Sequence, residues 1–419
     1  MPVGRERSGV TTSVTSVRRG EKQPVSQARE VPADSAQVGT KLPVLREIDN
    51  IEALSKEYGI MREDVELIAL NASAMTTDLP LRRVRFKIAL SSRPDDIFYL
   101  GIPVLKTNTP FHGSSTEKKL YFNGKEFAAV IDFENDTCDT SYFRRNDTVL
   151  VLNTNSRSTC SGCAFCATLR QVATDQDQIK TPEQLEAYVS RLFGTSEELA
   201  AVRPHFHRPT MTPSANSFSN LHQLTLVTGC FGSEEAALAD LLMVNRYFKA
   251  HGFKGTLLYI GGEIRSEAAL KKVREEVDRP YFALTLEAFT RRNKIMRQEK
   301  AALTLDGAVD LLRKTKDMGI EGGFTYIVGL DPLKDIAEGM ERFAGEVTRF
   351  PMIQIFQPHW EEQKGIRTPE AVNLKYYLDA RKIVEDAFRG TGLRPETWQN
   401  YRSLWYFTYD GKELNEQRI

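Results

Sequence analysis

No apolar run in this chain approaches the ~20 residues that a membrane-crossing helix needs, and the opening stretch, Met1-Pro2-Val3-Gly4-Arg5, lacks the apolar core of a secretory signal. A cytoplasmic location without a membrane partner is the expectation. An excess of either charge is also missing: 56 Lys plus Arg stand against 56 Asp plus Glu. No global field would draw the chain to a polyanion, so no nucleic-acid partner is expected. Cysteine is scarce and odd in number, five in 419 residues, which argues against a disulfide framework and for reduced thiols. No fixed-period repeat is present. What the chain does have is 41% apolar residues over a length that accommodates two or three domains with a full core.

Residues 1–40 are rich in Ser, Thr, Arg, Glu and Gln with almost no large apolar residue, and read as a disordered tail. From 41 to 148 the pattern predicts a small, mostly β domain, with a short helix near 51–58 and strands at 83–90, 98–105, 119–122 and 127–133. The last two are joined by an Asn123-Gly124 hairpin turn. Between 149 and 360 the chain alternates. Apolar strand candidates at 149–153, 223–228, 256–260, 281–287, 323–329 and 352–356 are each followed by room for a helix, with start signals at Ser233 and Thr304 and a stop at Gly319. Continuous apolar runs separated by helices are what a buried parallel sheet requires. The expected fold is α/β: a partial (β/α)6 TIM-type barrel preceded by the small β domain. Residues 170–221, with helix-start chemistry at Thr181-Pro182-Glu183-Gln184, read as an insertion, and 361–419 as a helical and aromatic extension.

Three of the five cysteines, Cys160, Cys163 and Cys166, fall within seven residues just after the first strand of the alternating region. In this architecture the carboxyl ends of the strands carry the sites. A Cys-x-x-Cys-x-x-Cys loop has three explanations: an iron-sulfur cluster with one open iron, a structural zinc site, or a four-thiolate electron-transfer cluster completed by Cys230 or Cys138. A second Cys-x-x-Cys or Cys/His pair of the kind zinc sites use is absent from the sequence.

The three-cysteine loop after the first strand, Phe165 before its last cysteine, and the six following βα units together resemble the radical S-adenosylmethionine superfamily. Within it, Lys300-Ala-Ala-Leu-Thr-Leu-Asp and Phe324-Thr-Tyr-Ile-Val-Gly329-Leu330 are most similar to the biotin synthase-like branch. The family's usual loop has three residues between its first two cysteines, where this chain has two. The resemblance implies a [4Fe-4S] cluster on Cys160, Cys163 and Cys166 and S-adenosylmethionine as a second cofactor. One electron would cleave the sulfonium to give a 5′-deoxyadenosyl radical that abstracts hydrogen from a small-molecule or peptide substrate. A flavodoxin-like or ferredoxin-like protein would supply the electron. The alternative is an iron-sulfur electron-transfer protein or a zinc-structured binding protein that cleaves nothing.

By the same resemblance, the second strand's end at Thr228-Gly229-Cys230 takes the place of a Gly-Gly-Glu turn, which occurs literally one unit later at Gly261-Gly262-Glu263. Thr228 and Gly229 are then expected at the cofactor, as are Phe165 beside the cluster, Glu287 at the end of the fourth strand, one of Arg291, Arg292 and Arg297 (Arg292 the chosen candidate) on the methionine carboxylate, and Gly329 near adenine. Cys230, at the carboxyl end of a strand facing the cofactor, is the catalytic candidate, as a hydrogen-atom donor, an extra ligand or a substrate anchor. His359 is expected to be a packed surface histidine, and His205 and His207 to be loop residues.

Overall fold

In this computed structural model the described residues are 45–106, 109–136, 141–155, 162–167, 169, 179–192, 218–227, 230–359 and 361–415. The expected disordered tail, most of the 170–221 insertion with His205 and His207, and Cys138, Cys160, Thr228 and Gly229 lie outside them. Residues 42–419 form one compact unit.

The architecture is mixed α/β with two principal sheets. The first contains β1 (Thr76–Thr77), β2 (Arg83–Leu90), β3 (Arg93–Pro103), β4 (Phe111–Ser114), β5 (Lys119–Phe122) and β6 (Lys125–Asn135), in the order β1-β4-β5-β6-β2-β3. Asn123 (φ 48°) and Gly124 (φ 76°) turn the chain between β5 and β6, with Phe122 opposite Lys125. Both residues occupy the left-handed region that a two-residue primed hairpin turn demands. The second sheet contains β7 (Tyr142–Arg144), β8 (Val149–Leu152), β9 (Gln223–Val227), β10 (Thr256–Gly261), β11 (Pro280–Glu287), β12 (Glu321–Val328) and β13 (Met352–Ile355). Strands β8 to β13 run parallel in chain order, and β7 adds to the β8 edge antiparallel, Tyr142 opposite Val151.

Local signals explain the helices on the outer face of this sheet. Ser233, Ser266 and Thr304 each accept a hydrogen bond from the amide three residues on, satisfying one of the open donors of a first turn. Gln184 N donates to Thr181 Oγ1, and Lys180 N, one residue before the cap, donates to Gln184 Oε1, a variant of the capping box at the helix start expected from the sequence. Gly319 (φ 69°) ends the helix Leu305–Asp317.

The aromatic segment near the end of the described chain is core. Trp405, Tyr406 and Phe407 are buried, and their backbone is gripped by the fully buried Asp64 of the helix Arg62–Ser73. Its carboxylate accepts from Tyr406 N (2.7 Å), Phe407 N (3.1 Å), Thr408 N (3.0 Å) and Thr408 Oγ1 (2.6 Å). Arg381 pairs with it at 3.3 Å and also donates to Leu404 O and Thr408 O. A buried charge is tolerated only with such a full complement of partners.

This clamp predicts the cost of breaking it. Asp64→Ala leaves Arg381 with less compensation and three amides without an acceptor, so it should lose about 3–5 kcal/mol of unfolding free energy in a urea titration. A loss below about 1 kcal/mol would show the clamp to be dispensable.

Candidate functional site

Alternation along the parallel strands sends one set of side chains to the concave face. Thr225 and Val227 on β9, Leu258 and Ile260 on β10, Thr325 and Ile327 on β12, and Met352 and Gln354 on β13 line a cavity of about 260 Å³. Residues two apart on a strand share a face, so the wall follows directly from the strand register. The cavity is roofed at the carboxyl ends of the strands by Cys163, Phe165 and Cys166. Its open side is closed by β7 and by the segment carrying Trp398, Gln399, Tyr401 and Arg402.

The cysteine loop is pinned from three directions. Thr154 Oγ1 donates to the buried Asp240 at 2.7 Å, and Asn155 Nδ2 to the carbonyl of Cys230 at 3.3 Å, fixing the chain where it leaves β8. Burial pushes the Asp240 carboxyl up to about 7, against the opposing pull of the Thr154 hydroxyl. Beyond Gly162 (φ 82°), Ala164 N donates to Ile295 O at 2.8 Å, and Gln363 Nε2 donates to the carbonyls of Ala164 and Cys166. The buried Cys163 sulfur receives the amide of Arg297 at 3.3 Å. An N–H directed at sulfur favours the thiolate, the form that binds metal. The Cys163 thiol is therefore suited to bind a metal, Cys166 lines the same cavity, and the third cysteine, Cys160, lies outside the described residues.

Glu287 lines the cavity on a strained support. Its φ is 64°, the register of β11 against β12 slips between Thr285 and Glu287, and Ala288 N donates back to Leu286 O at 2.7 Å. That three-residue γ-turn is a conformation non-glycine residues hold only when their surroundings impose it, at a cost of about 1–3 kcal/mol. The surroundings are visible. Arg292 donates to Leu286 O and Ala288 O on either side of the turn, and to Leu303 O (2.7 Å) and Lys300 O (3.4 Å). Asp331 accepts from Phe289 N, Thr290 N, Thr290 Oγ1 and Tyr326 Oη. Burial lowers the pKa of Arg292, and the nearby Glu287 and Asp331 oppose that shift.

Several candidates sit elsewhere than the sequence reading expected. Arg292 is buried and spends its guanidinium on backbone carbonyls, away from the cavity wall. Arg291 donates to Leu330 O and Ile366 O, and the Arg297 side chain lies 3.5 Å from Glu299. Glu263 of the literal Gly-Gly-Glu turn folds back to accept from Tyr259 Oη and Gly262 N. Cys230 is buried and is not part of the cavity wall. Gly329 (φ 114°) is also outside the wall. A Cβ there would meet that of Phe356 at 3.0 Å, so glycine keeps Phe356 against the cavity. His359, expected on the surface, lines the cavity. Burial, with the charges of Arg83 and Arg402, holds its pKa well below the usual value and leaves the imidazole neutral at pH 7.

The sequence reading did not single out the other cations that line the cavity, Arg83, Arg85, Arg144 and Arg402, with Lys300 beside the Glu287 turn; Glu287 is the one carboxylate among the lining residues. Arg83 and Arg85 share the buried Asp136, at 2.5 and 2.7 Å. Arg83 also donates to Gln357 Oε1, whose amide reaches Asn71. The alternation of Arg83 and Arg85 on one face of β2 was the available signal.

No protein-family model matches this chain, and no curated protein matches it in sequence. Thirteen chains of solved structures match. One is the radical S-adenosylmethionine methyltransferase TsrM from Kitasatospora setae with cobalamin and a [4Fe-4S] cluster bound, at a TM-score of 0.32 and 11% identity, covering 49% of this chain and 36% of that one. The chain thus spans little more than a third of that structure's length, and a likeness at this level carries no argument for function.

The strain at Glu287 predicts a separation of stability from activity. Glu287→Gly should fold at least as stably as the parent, gaining up to about 1 kcal/mol in chemical denaturation because glycine holds positive φ freely. It should also lose any cofactor affinity that depends on the carboxylate. A loss of more than about 1 kcal/mol would show that Glu287 is held by favourable contacts and not imposed on the turn.

Proposed function

We propose that the chain is a radical S-adenosylmethionine-type enzyme in which Cys160, Cys163 and Cys166 hold a [4Fe-4S] cluster over the cavity. The single observation carrying this reading is the placement of two cysteines of the three-cysteine loop at the roof of a parallel-sheet cavity, one with an amide directed at its sulfur. When bound, such a cluster supplies the electron that cleaves S-adenosylmethionine and opens radical chemistry on a substrate.

The chain's own contributions follow from its residues. Ile295, Arg297 and Gln363 hold the loop's backbone and the Cys163 thiol in place. Glu287 offers a carboxylate to the ribose hydroxyls or amino group of the cofactor, presented at the strand's end by the turn that Arg292 and Asp331 brace. Phe165, which lines the cavity beside Cys166, would pack beside the cluster, and Val227, Ile260 and Ile327 would exclude water from the space where a reactive species is exposed. Thr228 and Gly229, at the end of β9, are assigned to the cofactor's methionine end, and Gly329 to the adenine side through Phe356. Arg292 is assigned to the Glu287 turn. The substrate in this reading is a small molecule or a peptide, and the electron comes from a flavodoxin-like or ferredoxin-like donor.

Anaerobic reconstitution of the full chain with iron and sulfide tests this. About four irons per chain should bind, and the reduced cluster's electron paramagnetic resonance signal should shift when S-adenosylmethionine is added. Cys163→Ser should lose both. One zinc per chain, or a cluster spectrum indifferent to S-adenosylmethionine, would refute the reading.

A further inference from the structure

The cations that line the cavity include two guanidinium groups whose needs the fold leaves unmet. Arg144, on β7, is 7% exposed and lines the cavity. It donates once, from Nη1 to Gln399 O at 2.5 Å, and its buried Nε has no hydrogen-bond partner. Arg402 lines the same wall, donates to Gln354 Oε1, and likewise buries an unpartnered Nε. Among the described residues neither forms an ion pair with a carboxylate. Both face the Tyr401 ring, Arg144 at 5.3 Å and Arg402 at 5.4 Å to its centroid. Cation–π contact offsets part of the desolvation of a guanidinium but satisfies none of its in-plane donors. Burial accordingly lowers the pKa of Arg144, with only tyrosines opposing and Arg85 reinforcing the shift.

We propose that Arg144 and Arg402 form a binding site for the carboxylate of a small acid whose apolar body rests on Tyr142, Tyr401 and Trp398. A guanidinium fork matches the plane of a carboxylate, and a buried, uncompensated arginine is costly unless it binds something. The three aromatic residues line the cavity beside it. The carboxylate of S-adenosylmethionine is a poor fit to Arg144. Arg144 sits opposite Val149 at the start of β8, while the cysteine loop follows Leu152 at its end, so roughly 10 Å of strand separates the two levels. Calling the bound acid the enzyme's substrate rests on the function proposed above. The anion site itself does not.

The test uses the full chain without cluster or cofactor, titrated with benzoate, with uncharged benzamide and with inorganic phosphate, and followed by calorimetry. Benzoate should bind at least tenfold more tightly than benzamide or phosphate and should persist in 0.5 M salt (roughly), since a buried pair is screened weakly. Arg144→Gln should weaken benzoate about tenfold or more, and Arg144→Lys should recover little of it because the planar fork is lost. If Arg144→Gln fails to fold, Arg402→Gln carries the same criterion. Equal affinity for benzoate and benzamide, a preference for phosphate, or unchanged benzoate binding in the variants would overturn the site. Adding S-adenosylmethionine to the reconstituted chain separates the two readings. Simultaneous binding of both ligands supports a substrate site, displacement of benzoate overturns it, and a chain that binds benzoate but holds no cluster keeps the anion site while the enzymatic reading fails.

Discussion

A parallel sheet that does not close on itself leaves two edges of backbone without partners, and most of what distinguishes this structure follows from how those edges are covered. One edge receives the antiparallel strand Tyr142–Arg144. At the other, Ile355 N donates to Arg402 O at 2.8 Å. Arg144 reaches across to Gln399 O, so the residues 399–402 span the gap between the two edges. The same segment continues into the aromatic core that Asp64 and Arg381 hold. The cover that satisfies the sheet edges therefore also brings arginines and tyrosines to the inside of the cavity.

The opposite end of the cavity is built by a different economy of backbone bonds. The described residues of the cysteine loop, 162–167, contain no helix or strand; the amide of Ala164 is answered by Ile295 O, the carbonyls of Ala164 and Cys166 by Gln363, and the Cys163 sulfur by the amide of Arg297. Those partners come from connections after β11 and β13, so the loop's geometry depends on the same turns that present Glu287. Arg292 and Asp331 are central to that dependence. Neither lines the cavity, yet together they hold the carbonyls and amides from Leu286 to Thr290. Preorganisation of this kind is how a site holds charged groups in place without reorganising when a ligand arrives.

Strand positions were legible in the sequence because each parallel strand is a short apolar run bounded by helix signals. The runs at 149–153, 223–228 and 352–356 became Val149–Leu152, Gln223–Val227 and Met352–Ile355. The caps at Ser233 and Thr304 and the Asn123-Gly124 turn were equally local, and local chemistry decided them. The acid at the end of β11 was legible as a residue facing the cavity, whereas its γ-turn was not, because Asp331 braces it from the next strand's end, outside any local window. Arg144 and Arg402 escaped notice for a similar reason. Charged residues near chain turns resemble solvated surface, and only the tertiary closure of the sheet buries them. Strand β7 is three residues long, too short to carry a period.

The central claim is that the cysteine-roofed cavity cleaves S-adenosylmethionine by one-electron reduction. Its most direct test is to incubate the reconstituted, dithionite-reduced full chain anaerobically with S-adenosylmethionine and identify the products by mass spectrometry. The account predicts 5′-deoxyadenosine; intact S-adenosylmethionine from a chain that holds its full complement of iron would contradict it.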